Sequence, residues 1–163
     1  MILRLSETLS RKIRVTPTVK RPLNANPFAD FSCHAVSVNG HDYILAANTA
    51  SFYGVVFSGD SIDRSTAFES ELYERLQGHI VRDGFEFLYK RLINSDGDTI
   101  SYTCPLNDVI TASLEQLARK VVSQVKQRRV STDEVTETLN GSPLPLIRHE
   151  RPRDRFRTLT FQG

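Results

Sequence analysis

Apolar positions recur at two different spacings along this chain, and the switches between them mark out its elements. Residues 2–5 read as a short strand. Ser6 can then cap a helix with Glu7 in its first turn and Arg11, Lys12 and Arg14 in its last, which suits the helix dipole at both ends, and Leu9 and Ile13 form its buried stripe. Pro17, Pro22 and Pro27 make residues 16–30 a connecting loop. Three β-favouring runs follow at 31–38, 41–47 and 51–57. Asn39-Gly40 stands between the first two, and both residues tolerate the positive φ of a tight hairpin turn, so a three-stranded meander is expected.

Thr66 and Glu69 have the spacing of a capping box, and Phe68, Leu72, Leu76 and Ile80 continue at helical spacing until Asp83-Gly84. Phe85, Phe87, Tyr89, Arg91 and Ile93 alternate with Glu86, Leu88, Lys90 and Leu92. This predicts a strand that turns at 95–98 and returns through 99–103 as a second hairpin. Asn107 can cap a long helix whose seam of Ile110, Leu114, Leu117, Val121 and Val125 should lie on the sheet. Beyond Arg128 and Arg129, Ser131 and Glu134 predict a short helix ending at Asn140-Gly141. Extended chain at 143–145 and an arginine-rich run from Arg148 come next.

Together these elements predict an α+β fold: a mostly antiparallel sheet of two hairpin or meander units, packed against two long helices and a short N-terminal helix, with a C-terminal extension. The length of 163 residues suits one folded unit, placed at 1–127, followed by a basic, proline-containing extension at 128–163. An apolar share of 39% supports a packed core, and no run of apolar residues is long enough to span a bilayer. The first residues lack the order of a secretion signal, and Cys33 and Cys104 read as reduced thiols, so a cytoplasmic protein is expected. A net charge of +2 is unevenly spread, with basic residues 1–21 and 128–163 flanking an acidic middle.

Phosphate-cradling, dinucleotide-binding, nucleophile-elbow and zinc-binding patterns are absent from the sequence, so no cofactor is expected. Cys33 and His34 are neighbours on a predicted strand, point to opposite faces and cannot chelate one ion, so no metal is expected either. His34 is the most interesting single residue. With Asn48, Ser51 and Tyr53 it could form a polar site, and with Asn48, Ser51 or Cys104 it could serve an unrecognised enzyme if these groups converge. A histidine satisfied by a hydrogen bond is the plainer reading.

The tail offers Arg148, Arg151, Arg153, Arg155, Phe156, Arg157 and Phe161 as an interaction arm. The leading expectation is therefore a non-catalytic binding or regulatory module whose arm engages a protein partner or a second copy. Nucleic-acid contact through the two basic ends is the alternative, although Phe156 alone is interleaved among the arginines and Glu150 and Asp154 dilute the field.

Four blocks carry a resemblance: MILRLSETLSRKIRV, ADFSCHAVSVNGHDYILAANTASFYGVVFSG, IVRDGFEFLYKRL and CPLNDVITASLEQLARKVV. Over about residues 1–127 their order resembles an uncharacterised bacterial family known mainly as a domain of unknown function. Members tend to carry tryptophan where this chain has Phe31, and basic residues where it has Gly40 and His41. The resemblance implies a bacterial or phage-like origin and the same α+β arrangement, brings no activity with it, and leaves the tail after Ser131 outside.

Overall fold

A computed structural model describes residues 1–94, 99–128 and 130–160. Strand β1 (Ile2–Leu5) leads into helix α1 (Glu7–Ile13), and the Ser6 side chain accepts a hydrogen bond from the Leu9 N–H as the cap requires. The meander forms as expected from β2 (Asp30–Val38), β3 (His41–Asn48) and β4 (Gly54–Ser58). Asn39 and Gly40 hold φ of 53° and 84° in the turn that joins the first two. Helix α2 (Ser65–Arg82) ends at Gly84, whose φ is 80°. Helix α4 (Asp108–Arg128) is capped by Asn107, whose side chain accepts from the Ile110 N–H, and α5 (Thr132–Gly141) begins with the predicted box of Ser131 and Glu134.

Two expectations need correction. Residues 85–93 are not a strand: Glu86–Leu88 is a short helix, α3, which continues as a π-helical turn over Tyr89–Ile93. Phe85, Leu88, Tyr89, Leu92 and Ile93 also sit at three- and four-residue spacing, and this helical stripe packs against the core while Phe87 stays 66% exposed. The turn expected at 95–98 lies outside the described residues. The return strand survives as β5 (Ser101–Thr103), but it pairs with β1 and runs parallel to it, so no second hairpin forms. The other correction is at α2, which starts one residue before Thr66 without a side-chain cap. Glu69, the expected box partner, instead accepts a hydrogen bond from the Tyr102 hydroxyl.

The sheet has the order β4-β3-β2-β1-β5, antiparallel through the meander and parallel on both sides of β1. It is mixed, within an α+β fold. Successive residues of a strand face opposite ways, so both faces are apolar. Ile44 and Ala46 of β3 join a core with α1, α2 and residues 85–93, whereas Leu45 and Ala47 join another with α4 and α5. The two long helices therefore cover opposite faces. Among the described residues no helix is long and apolar enough to cross a membrane.

The segment expected to be an extension contributes to both cores. Val135 and Leu139 of α5 lie with Leu144 and Ile147 against β3 and β4, while Phe156, in the last helix α6 (Pro152–Arg157), is buried in the other core, stacked on Tyr53 at 4.6 Å and edge-on to Phe28 at 5.3 Å. Helix α5 also closes the sheet edge. The Asn140 amide accepts from Gly54 N–H at 2.9 Å and donates to Gly54 C=O at 2.8 Å, and the Thr136 hydroxyl accepts from Val56 N–H at 2.9 Å. These side chains stand in for the strand that β4 lacks on its outer side. Asn140→Leu is expected to destabilise the protein by about 2 kcal/mol, because Gly54 loses both buried partners. Urea unfolding should show a lower midpoint at unchanged slope; an unchanged midpoint would mean that water replaces the amide.

Candidate ligand cleft

The predicted polar cluster divides into two unrelated places. Asn48, Ser51 and Tyr53 are buried around the β3–β4 connection, where their polar atoms are taken up by the fold. Asn48 Oδ1 accepts from Ala50 N–H, Ser51 N–H and Ser51 Oγ, and its Nδ2 donates to the Pro27 and Asp30 carbonyls. The Tyr53 hydroxyl donates to Asp83 at 2.8 Å, and burial together with that carboxylate pushes its ionisation well above the usual range. These bonds tie the group into the turn between β3 and β4.

His34 stands apart from them. It lies opposite Leu45 on the sheet face covered by α4, half-buried, and it makes no hydrogen bond to a described residue. No thiol joins it: Cys104 Sγ donates to the Pro17 carbonyl at 3.3 Å, and Cys33 is buried on the other face with its thiol pushed far up by desolvation. The enzyme reading, which needed His34 to meet Asn48, Ser51 or Cys104, therefore lacks its geometry.

What surrounds His34 is a cleft of about 340 Å³, between the end of β1, the start of α1 and the first turns of α4. Ser6, Glu7 and Thr8 form one wall, Ile110, Thr111, Leu114 and Glu115 form the other, and Ser32 and His34 form the floor. Beneath the floor lies a network that sequence reasoning missed. Arg4, 1% exposed in the middle of an apolar strand, donates through Nε and Nη2 to the two oxygens of Asp30 at 2.8 and 2.7 Å, and through Nη1 and Nη2 to the Arg21 and Pro22 carbonyls. Thr49 Oγ1 and Asn24 N–H also donate to Asp30. The one sequence clue was a charge at an inward-facing strand position, which is rare without a partner.

Burial lowers the pKa of His34 below the 6.5 of a free histidine, partly opposed by the Glu115 carboxylate. The ring is accordingly neutral at pH 7, and a proton NMR titration of its Cε1–H is expected to give a midpoint below 6.5. A midpoint above that value would mean that the Glu115 carboxylate outweighs burial.

The tail arginines are also redistributed. Arg153 bridges Asp83 at 2.9 Å and Glu137 at 2.6 Å, Arg155 donates to the Ala50 carbonyl at 3.0 Å, and Phe156 is buried. Arg148, Arg151 and Arg157 remain exposed, and Phe161 lies outside the described residues. At the other basic end, Arg4 is buried, Arg11 pairs with Glu7, and Lys12 pairs with Asp42, whose carboxyl the Lys12 ammonium and the Ser37 hydroxyl hold below its ordinary range. An arm presenting Phe156 is thus replaced by a strap folded onto the body.

No curated protein matches the chain. A family profile does match, over residues 2–155, so it runs past Gln127 through α5, which packs on β4, and into the first residues of α6. The protein belongs to the family described as a domain of unknown function, DUF6933.

Proposed function

We propose that this protein is a non-catalytic binding module and that it takes a small organic molecule into the cleft over His34. The observation that supports this reading is His34 itself: a half-buried imidazole, with no hydrogen bond to a described residue, at the floor of a cavity of ligand size. Its ring nitrogens are not tied into the fold by any described residue, which leaves a donor and an acceptor at the cleft floor for a molecule that enters. The walls add apolar surface from Pro105, Ile110 and Leu114, which supplies affinity, while the polar groups supply orientation.

The seat of binding thereby moves from the tail to the body. A recruiting arm would need Phe156 and Arg155 free, and both are engaged by the fold.

A fragment screen by nitrogen–proton correlation NMR tests the reading. At least one compound at millimolar concentration is expected to shift the amides of Thr8, His34 and Thr111, and to lose that effect in Thr111→Trp, which fills the cleft from a position on its α4 wall that belongs to neither core. A screen in which no compound moves these signals would count against a ligand site.

A further inference from the structure

The hydrogen bonds around the cleft set the polarity of what it can hold. A hydroxyl has one hydrogen to donate, and each hydroxyl on these walls has already donated it inward. Thr8 Oγ1 donates to the Ala35 carbonyl at 2.9 Å, so Ser6 Oγ, 2.9 Å away, must be the donor in the Ser6–Thr8 bond. Thr49 Oγ1 donates to Asp30 at 2.7 Å, so Ser32 Oγ must be the donor in the Ser32–Thr49 bond. Thr111 Oγ1 donates to the Asn107 carbonyl at 3.0 Å. What these four side chains turn toward the cleft is lone pairs only.

The charged groups have the same sense. Glu7 and Glu115 contribute carboxylates at the two walls, and the one cation below, Arg4, is neutralised by its bidentate contact with Asp30. An anion would meet four oxygens without hydrogens and the carboxylate of Glu115, while Glu7 is paired with Arg11. To a neutral acceptor such as a ketone these four hydroxyls offer no hydrogen.

Resting on the reading of the cleft as a ligand site, we propose that its ligand is a small organic ammonium: a protonated primary amine, rich in donors, carried on an apolar body that lies against Ile110, Leu114 and Pro105. The ammonium hydrogens bond to Ser32, Thr8 or Thr111 oxygens and to the unprotonated nitrogen of His34, and Glu115 supplies the counter-charge. Acidification removes the histidine acceptor and adds a like charge, so affinity falls as His34 becomes protonated. Added salt also weakens binding, because Glu7 and Glu115 are exposed and screened.

Three probes of one size and different charge separate this proposal from the reading beneath it: phenethylamine, phenethyl alcohol and hydrocinnamate, each titrated into the full chain by the same NMR measurement. Phenethylamine is expected to shift Thr8, His34 and Thr111, to bind at least tenfold more tightly than either other probe, and to lose about tenfold on Glu115→Gln. Preference for the alcohol or the carboxylate would overturn the ammonium assignment while leaving a ligand cleft in place. Amine shifts that are undiminished in Glu115→Gln would also overturn it, since they would report loose counter-ion attraction. Silence from all three probes would overturn both.

Discussion

Ending the chain after Gln127 is expected to give a protein that does not fold. The loss removes the Val135, Leu139, Leu144 and Ile147 side chains from one core and Phe156 from the other, all of them buried. Each such truncation of a large apolar side chain costs about 2–5 kcal/mol, against a total stability of about 5–15 kcal/mol for a domain of this kind. It also strips the β4 edge of Asn140 and Thr136, leaving Gly54 and Val56 backbone groups bare on an apolar strand that can pair with another molecule. Aggregation on expression, or a soluble product lacking near-ultraviolet circular dichroism and a cooperative transition, is the expected outcome. Phe156→Ala in the full chain should lose about 3–5 kcal/mol by the same logic. A soluble monomer of residues 1–127 with cooperative unfolding would restore the picture of a self-sufficient body with an appendage.

Asp30→Ala is expected to be the most damaging substitution outside the apolar cores, at about 3–5 kcal/mol. Removing the partner of the buried Arg4 guanidinium leaves an uncompensated buried charge, and Thr49, Asn24 and Ser32 lose their order with it. Strands β1 and β2 are paired through this same residue, since Ile2 lies opposite Asp30. Arg4→Met combined with Asp30→Asn should recover part of the loss, because a neutral pair carries no desolvation penalty of that size. Denaturant titration of the two variants measures the difference. If Asp30→Ala costs less than about 1 kcal/mol, water reaches Arg4 and the floor of the cleft is wetter than this structure has it.

The two expectations share a cause with the cleft. On the face covered by α4, the sheet is apolar under β3 and β4 and polar under β1 and the start of β2, where Asp30, Ser32 and His34 alternate along β2 beside Arg4 of β1. Helix α4 covers the apolar part tightly through Leu117, Ala118 and Val121. Over the polar part a gap remains between Ser32 and His34 on the sheet and Ile110, Thr111 and Leu114 on the first turns of α4, and this gap is the cavity. Sheet composition thus sets where the protein is open.

Much of this architecture was legible in the residues alone. The Ser6, Asn107 and Ser131 caps, the Asn39-Gly40 turn, the meander and the seam of α4 depend on contacts within a few positions, where spacing and local hydrogen bonding decide the outcome. Residues 85–93 were misread because their apolar positions satisfy both a two-residue and a helical period; packing of Tyr89 and Ile93 into the core chose the helix. The short β5 could be anticipated as a strand, but its parallel pairing with β1 joins residues about a hundred positions apart and leaves no local mark.

The same division governs function. His34 stood out in the sequence as a polar residue on an apolar strand, and that required only alternation. The company it keeps was decided by the tertiary structure, which put Asn48, Ser51 and Tyr53 on a turn elsewhere and brought Thr8 from α1 and Thr111 and Glu115 from α4 to it. Arginine and phenylalanine in a basic tail likewise read as a free arm until packing showed Phe156 filling a gap beside Tyr53. Local chemistry determines where the chain turns and caps itself. Which side chains end up sharing a space depends on burial summed over the whole molecule, and no window of sequence contains that sum.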